Sequence, residues 1–318
     1  MLYIFNFLLS LMLTLGLYKI LLPRFRALSL NQSVSEYSLK EFQDKPVTPT
    51  MGGVIFILVS LVVSYGFVLI TDPTNIAYWM VALTFIGYGI IGFVDDYKII
   101  KSGKNHGLSS KEKLFYQTLI VIIFYLLARS FIDPTIKIPF IANPVNLGIL
   151  YIVLVLFMFV GASNAVNLTD GMDGLSSGTS IIALAPFAYF AHNQGYIELT
   201  HLLISLMGAL LGYLYYNKKP AQIMMGDVGS LALGGLFAAT ALVLKNELLL
   251  ILIGVVFVIE TLSVIIQISS VKLLKRKVFP YTPIHYSFTI KGVSEEKTVL
   301  IFYVIGLIGA LLAIFIGG

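Results

Sequence analysis

Long apolar runs separated by short polar segments account for most of the chain. A helix crossing a hydrocarbon core of roughly 30 Å needs about 20 mostly apolar residues, at about 1.5 Å of rise each. Ten runs approach that length: 2–22, 51–71, 76–94, 114–132, 147–166, 175–193, 198–216, 229–245, 247–269 and 298–317. The pattern predicts an all-α, polytopic integral membrane protein with about ten transmembrane helices. Residues 1–318 form one transmembrane domain in this reading, with no soluble domain, low-complexity tract or internal repeat. The segment from Glu247 to Phe279 predicts one long helix. At about 1.5 Å per residue it would approach 50 Å, so it must tilt, bend or project from the membrane.

Composition agrees with the pattern. Residues are 58% hydrophobic and only 12% charged, against about 25% charged in a soluble domain. The chain has no cysteine, which excludes disulfides, thiolate metal sites and thiol nucleophiles. A net charge of +5 would point to nucleic acid in a soluble protein. Here the lipid bilayer accounts for it, and no nucleic-acid partner is expected.

The basic residues also orient the chain. The first apolar run has no positive charge before it, while Lys19, Arg24 and Arg26 follow at its end. That is the signature of a retained helix with its N-terminus outside, not of a cleaved signal peptide. The cytoplasmic segments are then 23–50, 95–113, 167–174, 217–228 and 270–297. These segments, with Lys19 at an adjoining helix end, hold 18 of the 21 Lys and Arg residues; Arg129, Lys137 and Lys245 are the exceptions. The positive-inside rule therefore predicts that both termini face outward.

Reactive side chains collect in the same segments. "FVDDYK" supplies Asp95 and Asp96, "GLSSKEK" supplies Lys113, and "NLTDGMDG" supplies Asn167, Asp170 and Asp173. "NKKPAQIMMGDVGS" adds Asn217 and Asp227, and "TPIHYSF" adds His285. Carboxylates and lysines without cysteine suit a hard cation such as Mg²⁺, and Mg²⁺ with lysines and glycine-rich turns suits a diphosphate. Each group also has a structural reading. Asp170 and Asp173 are placed to cap a helix from Leu175, and Asp227 to cap the run that begins at 229. Asp95 and Asp96 sit toward the C-terminal end of their helix, where its dipole disfavours negative charge. Within a span, Glu260, Ser263 and Gln267 share one helical face, and a buried Glu260 reads first as a helix–helix contact.

Six blocks carry a resemblance: "TPTMGG" (48–53), "GFVDDY" (92–97), "GASNAVNLTDGMDGL" (161–175), "PAQIMMGDVGSLALGG" (220–235), "ETLSVIIQ" (260–267) and "PIHYSF" (283–288). In this order they resemble the phospho-N-acetylmuramoyl-pentapeptide-transferase family of the polyprenyl-phosphate N-acetylhexosamine-1-phosphate transferase superfamily. The resemblance runs nearly end to end. It implies a Mg²⁺-dependent enzyme of the bacterial inner (plasma) membrane with a cytoplasmic active site. Such an enzyme moves phospho-MurNAc-pentapeptide from UDP-MurNAc-pentapeptide to undecaprenyl phosphate and releases UMP. It also implies roles. Asp227 resembles the Mg²⁺ ligand, and Asp95 and Asp96 the acidic pair beside the lipid phosphate, with Asp95 the candidate base. His285 resembles a catalytic histidine. Asp170, Gly171 and Asp173 resemble a uridine-binding turn. Lys45, Asn167, Asn217 and Gln267 resemble nucleotide or diphosphate contacts, and Lys113 a positively charged residue of the phosphate site. A homodimer is implied in the same way.

The chain departs from the family at several points. His285, Tyr286 and Ser287 stand where three consecutive histidines are usual, Met224 where Phe is typical, Val228 where Thr is common, and Ile99 where a lysine is usual. The altered histidine segment keeps open a sister enzyme that uses UDP-GlcNAc. An ion-coupled transporter is the reading from another class. Its polar sites belong near the bilayer midplane, where this chain offers chiefly Glu260.

Overall fold

The computed structural model describes residues 1–27, 48–102, 107–129, 131–141 and 143–318. In chain order the helices are α1 (Leu2–Ala27), α2 (Gly53–Val68), α3 (Ile76–Ser102), α4 (Ser110–Ala128), α5 (Leu150–Thr169), α6 (Leu175–Asn193), α7 (Ile197–Asn217), α8 (Gly226–Val243), α9 (Leu249–Ile253), α10 (Val255–Leu274), α11 (His285–Ile290) and α12 (Glu295–Gly317). The protein is an all-α polytopic membrane protein. Among the described residues seven helices are long and apolar enough to cross a membrane: α1, α3, α5, α7, α8, α10 and α12. The apolar α2 is shorter. Helices α4 and α6 occupy the two remaining expected runs. The first opens on the polar stretch Ser110–Lys113, and the second buries Ser176, Ser177, Thr179 and Ser180.

Helix α8 is the centre of the bundle. Every residue in it except Asp227 is buried. It packs against α3 and α5, while α7 packs against α1, α2 and α6. Small residues allow these close approaches, as membrane helix packing requires. A Cβ on Gly92 of α3 would overlap the Asp227 carbonyl, and one on Gly53 of α2 would overlap the Gly229 backbone.

Two local features differ from the pattern read along the sequence. The long helix from Glu247 is broken at Gly254, which separates α9 from α10 at φ −97° and ψ 24°. Its bend is thus a discrete joint, and the helix stops at Leu274, five residues short of Phe279. The connection between α4 and α5 holds a two-stranded antiparallel hairpin, β1 (Thr135–Ile136) with β2 (Val145–Asn146). It lies at the opposite end of the bundle from the acidic residues. Lys245 ties it down by donating to the carbonyls of Asp133 (2.9 Å) and Thr135.

Candidate active site

Helix α4 begins where a local signal places it. Ser109 accepts the Glu112 N–H, and Glu112 accepts the Ser109 N–H at 2.7 Å, a reciprocal capping box. This start puts Lys113 in the first turn. Its ammonium bridges two helices, 2.6 Å from Asp227 Oδ2 and 3.1 Å from Asp95 Oδ1. Burial opposes the charge on Lys113, but Asp227 and Asp95 outweigh it and raise the pKa.

Asp95 and Asp96 leave adjacent positions of α3 and are both buried. Asp95 Oδ1 also accepts the Leu108 N–H at 2.6 Å, with Gly107 packed flat against the carboxylate. Asp96 solves the dipole problem of its own helix by facing the start of another. It accepts the backbone N–H groups of Asp227 (3.2 Å) and Val228 (3.1 Å) at the N-terminus of α8. Asp227 therefore does not cap α8. Its carboxylate is free for Lys113 and for Asn167, whose amide donates to Oδ1 at 2.6 Å and to Ser230 Oγ at 2.9 Å. Gly226 adopts φ +72°, and a Cβ there would meet the Asp96 carboxylate and Thr50.

One oxygen from each of Asp95, Asp96 and Asp227 can be chosen so that all three lie within 4.8 Å of one another. One ammonium sits among three carboxyl groups, and burial followed by the charge of Asp227 pushes the pKa of Asp96 up to about 8 and raises that of Asp95. The cluster's donors are all oxygen. That set fits a hard divalent cation such as Mg²⁺.

The "TPTMGG" block frames this cluster. Gly52 and Gly53 donate to the carbonyls of Met224 (2.9 Å) and Met225 (3.0 Å), and Met224 donates back to Pro49 at 2.8 Å. Tyr18 of α1 donates to the Gly52 carbonyl at 2.6 Å. Along the sequence this block carries resemblance only, and its two adjacent glycines are the signal for a backbone docking site. Ser230 and Leu108, which hold Asn167 and Asp95, carried no signal along the chain.

The turn after α5 lies beside the cluster. Asp170 Oδ1 is closed off from solvent with no hydrogen-bond partner among the described residues. Burial first, then Asp227, Asp96 and Asp173, push the Asp170 pKa well above the carboxylate range. Asp173 accepts the Ala221 N–H at 3.0 Å and donates its own N–H to Glu295 at 3.1 Å. Helix α6 opens at Gly174, at φ +81°, with no side-chain cap at that residue.

Two residues expected at the ligand hold loop backbone in place. The Asn217 amide accepts from the Gly174 N–H (3.2 Å) and Ser177 (2.8 Å) and donates to the Ile223 carbonyl (3.0 Å), pinning the turn to the loop before α8. Gln267 accepts the N–H groups of Val278 (2.9 Å) and Phe279 (3.0 Å) and donates to the Phe279 carbonyl. Lys45 lies outside the described residues. His285 is fully buried, with its Nε2 against Gly171. The departures beside it have backbone tasks. Tyr286 donates to the Gly171 carbonyl at 3.1 Å, and Ser287 accepts the Tyr281 N–H at 3.1 Å.

The model of glycosyl transferase family 4 matches residues 78–245, from the first turn of α3 to the end of α8, and so includes the acidic cluster. A phospho-N-acetylmuramoyl-pentapeptide-transferase of Geobacillus sp. (strain WCH70) is 44% identical over 310 residues, covering 97% of this chain and 95% of that protein. Those of Staphylococcus saprophyticus and Staphylococcus aureus (strain MSSA476) are 41% and 42% identical, covering 97% and 98% of each chain. The chain belongs to the phospho-N-acetylmuramoyl-pentapeptide-transferase family. Within this transferase family, the similarity spans the site and the helices that build it.

Proposed function

We propose that the protein transfers phospho-MurNAc-pentapeptide from UDP-MurNAc-pentapeptide to undecaprenyl phosphate, at the cytoplasmic face of a bacterial inner membrane, with Mg²⁺ held by Asp227. A phosphate oxygen of the lipid attacks the sugar-bearing phosphorus. The bond from that phosphorus to the bridging oxygen breaks, UMP leaves, and a lipid-linked diphosphate forms. The reading takes its ten spans from the seven long apolar helices plus α2, α4 and α6, with both termini outside. The observation that carries it is the convergence of Asp95, Asp96, Asp227 and Lys113 from three helices.

Bound at Asp227 with Asp95 and Asp96 beside it, the cation would neutralise charge on the transferring phosphoryl group. The chain's residues supply position and further charge. Lys113 sets an ammonium against the incoming phosphates. Asp96 holds the N-terminus of α8, and with it Asp227, in place. Asp95 orients Lys113. A phosphate monoester has its second pKa near 6 and is largely ionised at neutral pH, so Asp95 need not act as a base. The turn of Asp170, Gly171 and Asp173 receives the uridine in this reading, and Asn217 and Gln267 shape its surroundings.

Tyr286 and Ser287 are tied to backbone groups, so their difference from the family pattern does not favour another donor sugar. The test is turnover by purified protein in lipid with defined donors. UMP release should require UDP-MurNAc-pentapeptide, undecaprenyl phosphate and Mg²⁺ together. Equal kcat/KM with UDP-GlcNAc would overturn the donor assignment, and full turnover in excess EDTA would overturn the metal.

A further inference from the structure

Glu260 lies in α10 with no solvent exposure, and its Oε1 has no hydrogen-bond partner among the described residues. A carboxylate placed there is costly and calls for a partner. Ser263 on the same face does not supply one, because its hydroxyl donates to the backbone carbonyl of Glu260 at 2.7 Å. The group that Oε2 meets is His285, equally shut off from solvent. Nδ1 lies 3.1 Å away, off the axis of a well-aligned hydrogen bond, and the His285 N–H lies 3.4 Å away. On the ring's other side Nε2 presses on Gly171, where an added Cβ would come within 2.5 Å. The Tyr286 ring stands 4.1 Å from the imidazole, centre to centre, and its hydroxyl holds the Gly171 carbonyl. A carboxylate inside a membrane helix thus touches one imidazole nitrogen, and the other nitrogen touches the turn that carries Asp170 and Asp173.

We propose that Glu260 is a positioning residue for the transfer reaction, holding His285 with Nδ1 toward α10 and Nε2 against Gly171, so that the turn keeps its shape. The inference rests on the reading of that turn as part of the donor site. An imidazole whose Nδ1 faces a carboxylate carries a proton on that nitrogen in either charge state. The tautomer and ring orientation are then fixed together. Glutamine at the same position keeps the size but presents both an acceptor and a donor, so it no longer imposes the tautomer. This separates a positioning role from mere filling of space.

The experiment combines ¹⁵N NMR of histidine-labelled protein in detergent with a double-mutant cycle. The chain has 4 histidines, and His285→Ala identifies the signal of interest. Wild-type His285 should show a protonated Nδ1, and Glu260→Gln should shift the signal toward the Nε2–H form. Glu260→Gln should also lower kcat/KM by about tenfold or more, with little change in melting temperature. In a His285→Ala background it should add no further loss. A wild-type ring protonated only on Nε2 overturns the proposal, and this measurement needs no variant at position 260. Equal losses from Glu260→Gln with and without His285 also overturn it, as does full turnover by His285→Ala. Failure of the underlying functional reading looks different: the wild-type protein itself would release no UMP.

Discussion

The carboxylate of Asp96, on α3, accepts the N–H groups of Asp227 and Val228 at 3.2 and 3.1 Å. One acidic residue thus anchors the helix end that presents another. The dipole of α8 favours the charge that the C-terminal part of α3 disfavours. Asp96→Ala should therefore destabilise the protein by about 1–2 kcal/mol through the lost cap and also abolish transfer. Asp96→Asn keeps one acceptor. It should recover most of the stability, measured by thermal unfolding in detergent, and little of the turnover. Full turnover by Asp96→Asn would show that the charge at this position is dispensable.

Asp227 contributes little to packing, being the one residue of α8 that is not buried. Asp227→Asn should leave folding intact and abolish UMP release, because a neutral amide is a much weaker Mg²⁺ ligand. Turnover near wild type at ordinary Mg²⁺ would remove Asp227 from the metal site.

Gly92 touches no substrate in this reading, yet it sets the distance between α3 and α8. A methyl group there would overlap the Asp227 carbonyl. Gly92→Ala should cost about 1–3 kcal/mol of stability by overpacking. It should also impair turnover by shifting Asp227. A variant as stable and active as wild type would mean that the two helices part without consequence.

Asp170 makes stability depend on pH. Its pKa in the folded protein is raised, first by burial and then by Asp227, Asp96 and Asp173. The folded state therefore holds a proton that the unfolded state releases. This contribution is fully present below the unfolded pKa of about 3.9 and is lost as pH rises through the folded pKa. Without Mg²⁺ or substrate, Asp170→Asn should melt higher than wild type at pH 8, and the gap should narrow toward pH 5. A gap that does not change with pH would place the Asp170 carboxylate in contact with water.

The topology is open to a direct check because the chain has no cysteine. Lys137 and Lys277 are both exposed. In intact cells an impermeant maleimide should label Lys137→Cys and spare Lys277→Cys. The reverse pattern would invert the membrane map.

Hydropathy alone located every long helix, because burial in lipid demands an apolar run whatever the helix packs against. The sequence also named the acidic residues of the cluster, since Asp95, Asp96 and Asp227 stand out in otherwise apolar surroundings. It left open what each one does. Asp227 read equally as a ligand or a cap, and only packing showed that Asp96, 131 positions earlier, takes the cap. Asn217 and Gln267 resemble ligand contacts along the chain, and only packing shows which backbone groups their amides also hold. Glu260 read as a helix contact, and its partner proved to be His285, 25 residues on. Composition and periodicity are local properties, and they determined the class and the apolar runs. Hydrogen-bond partners across the bundle are fixed by which helices touch and at what height, and that only the tertiary structure decided.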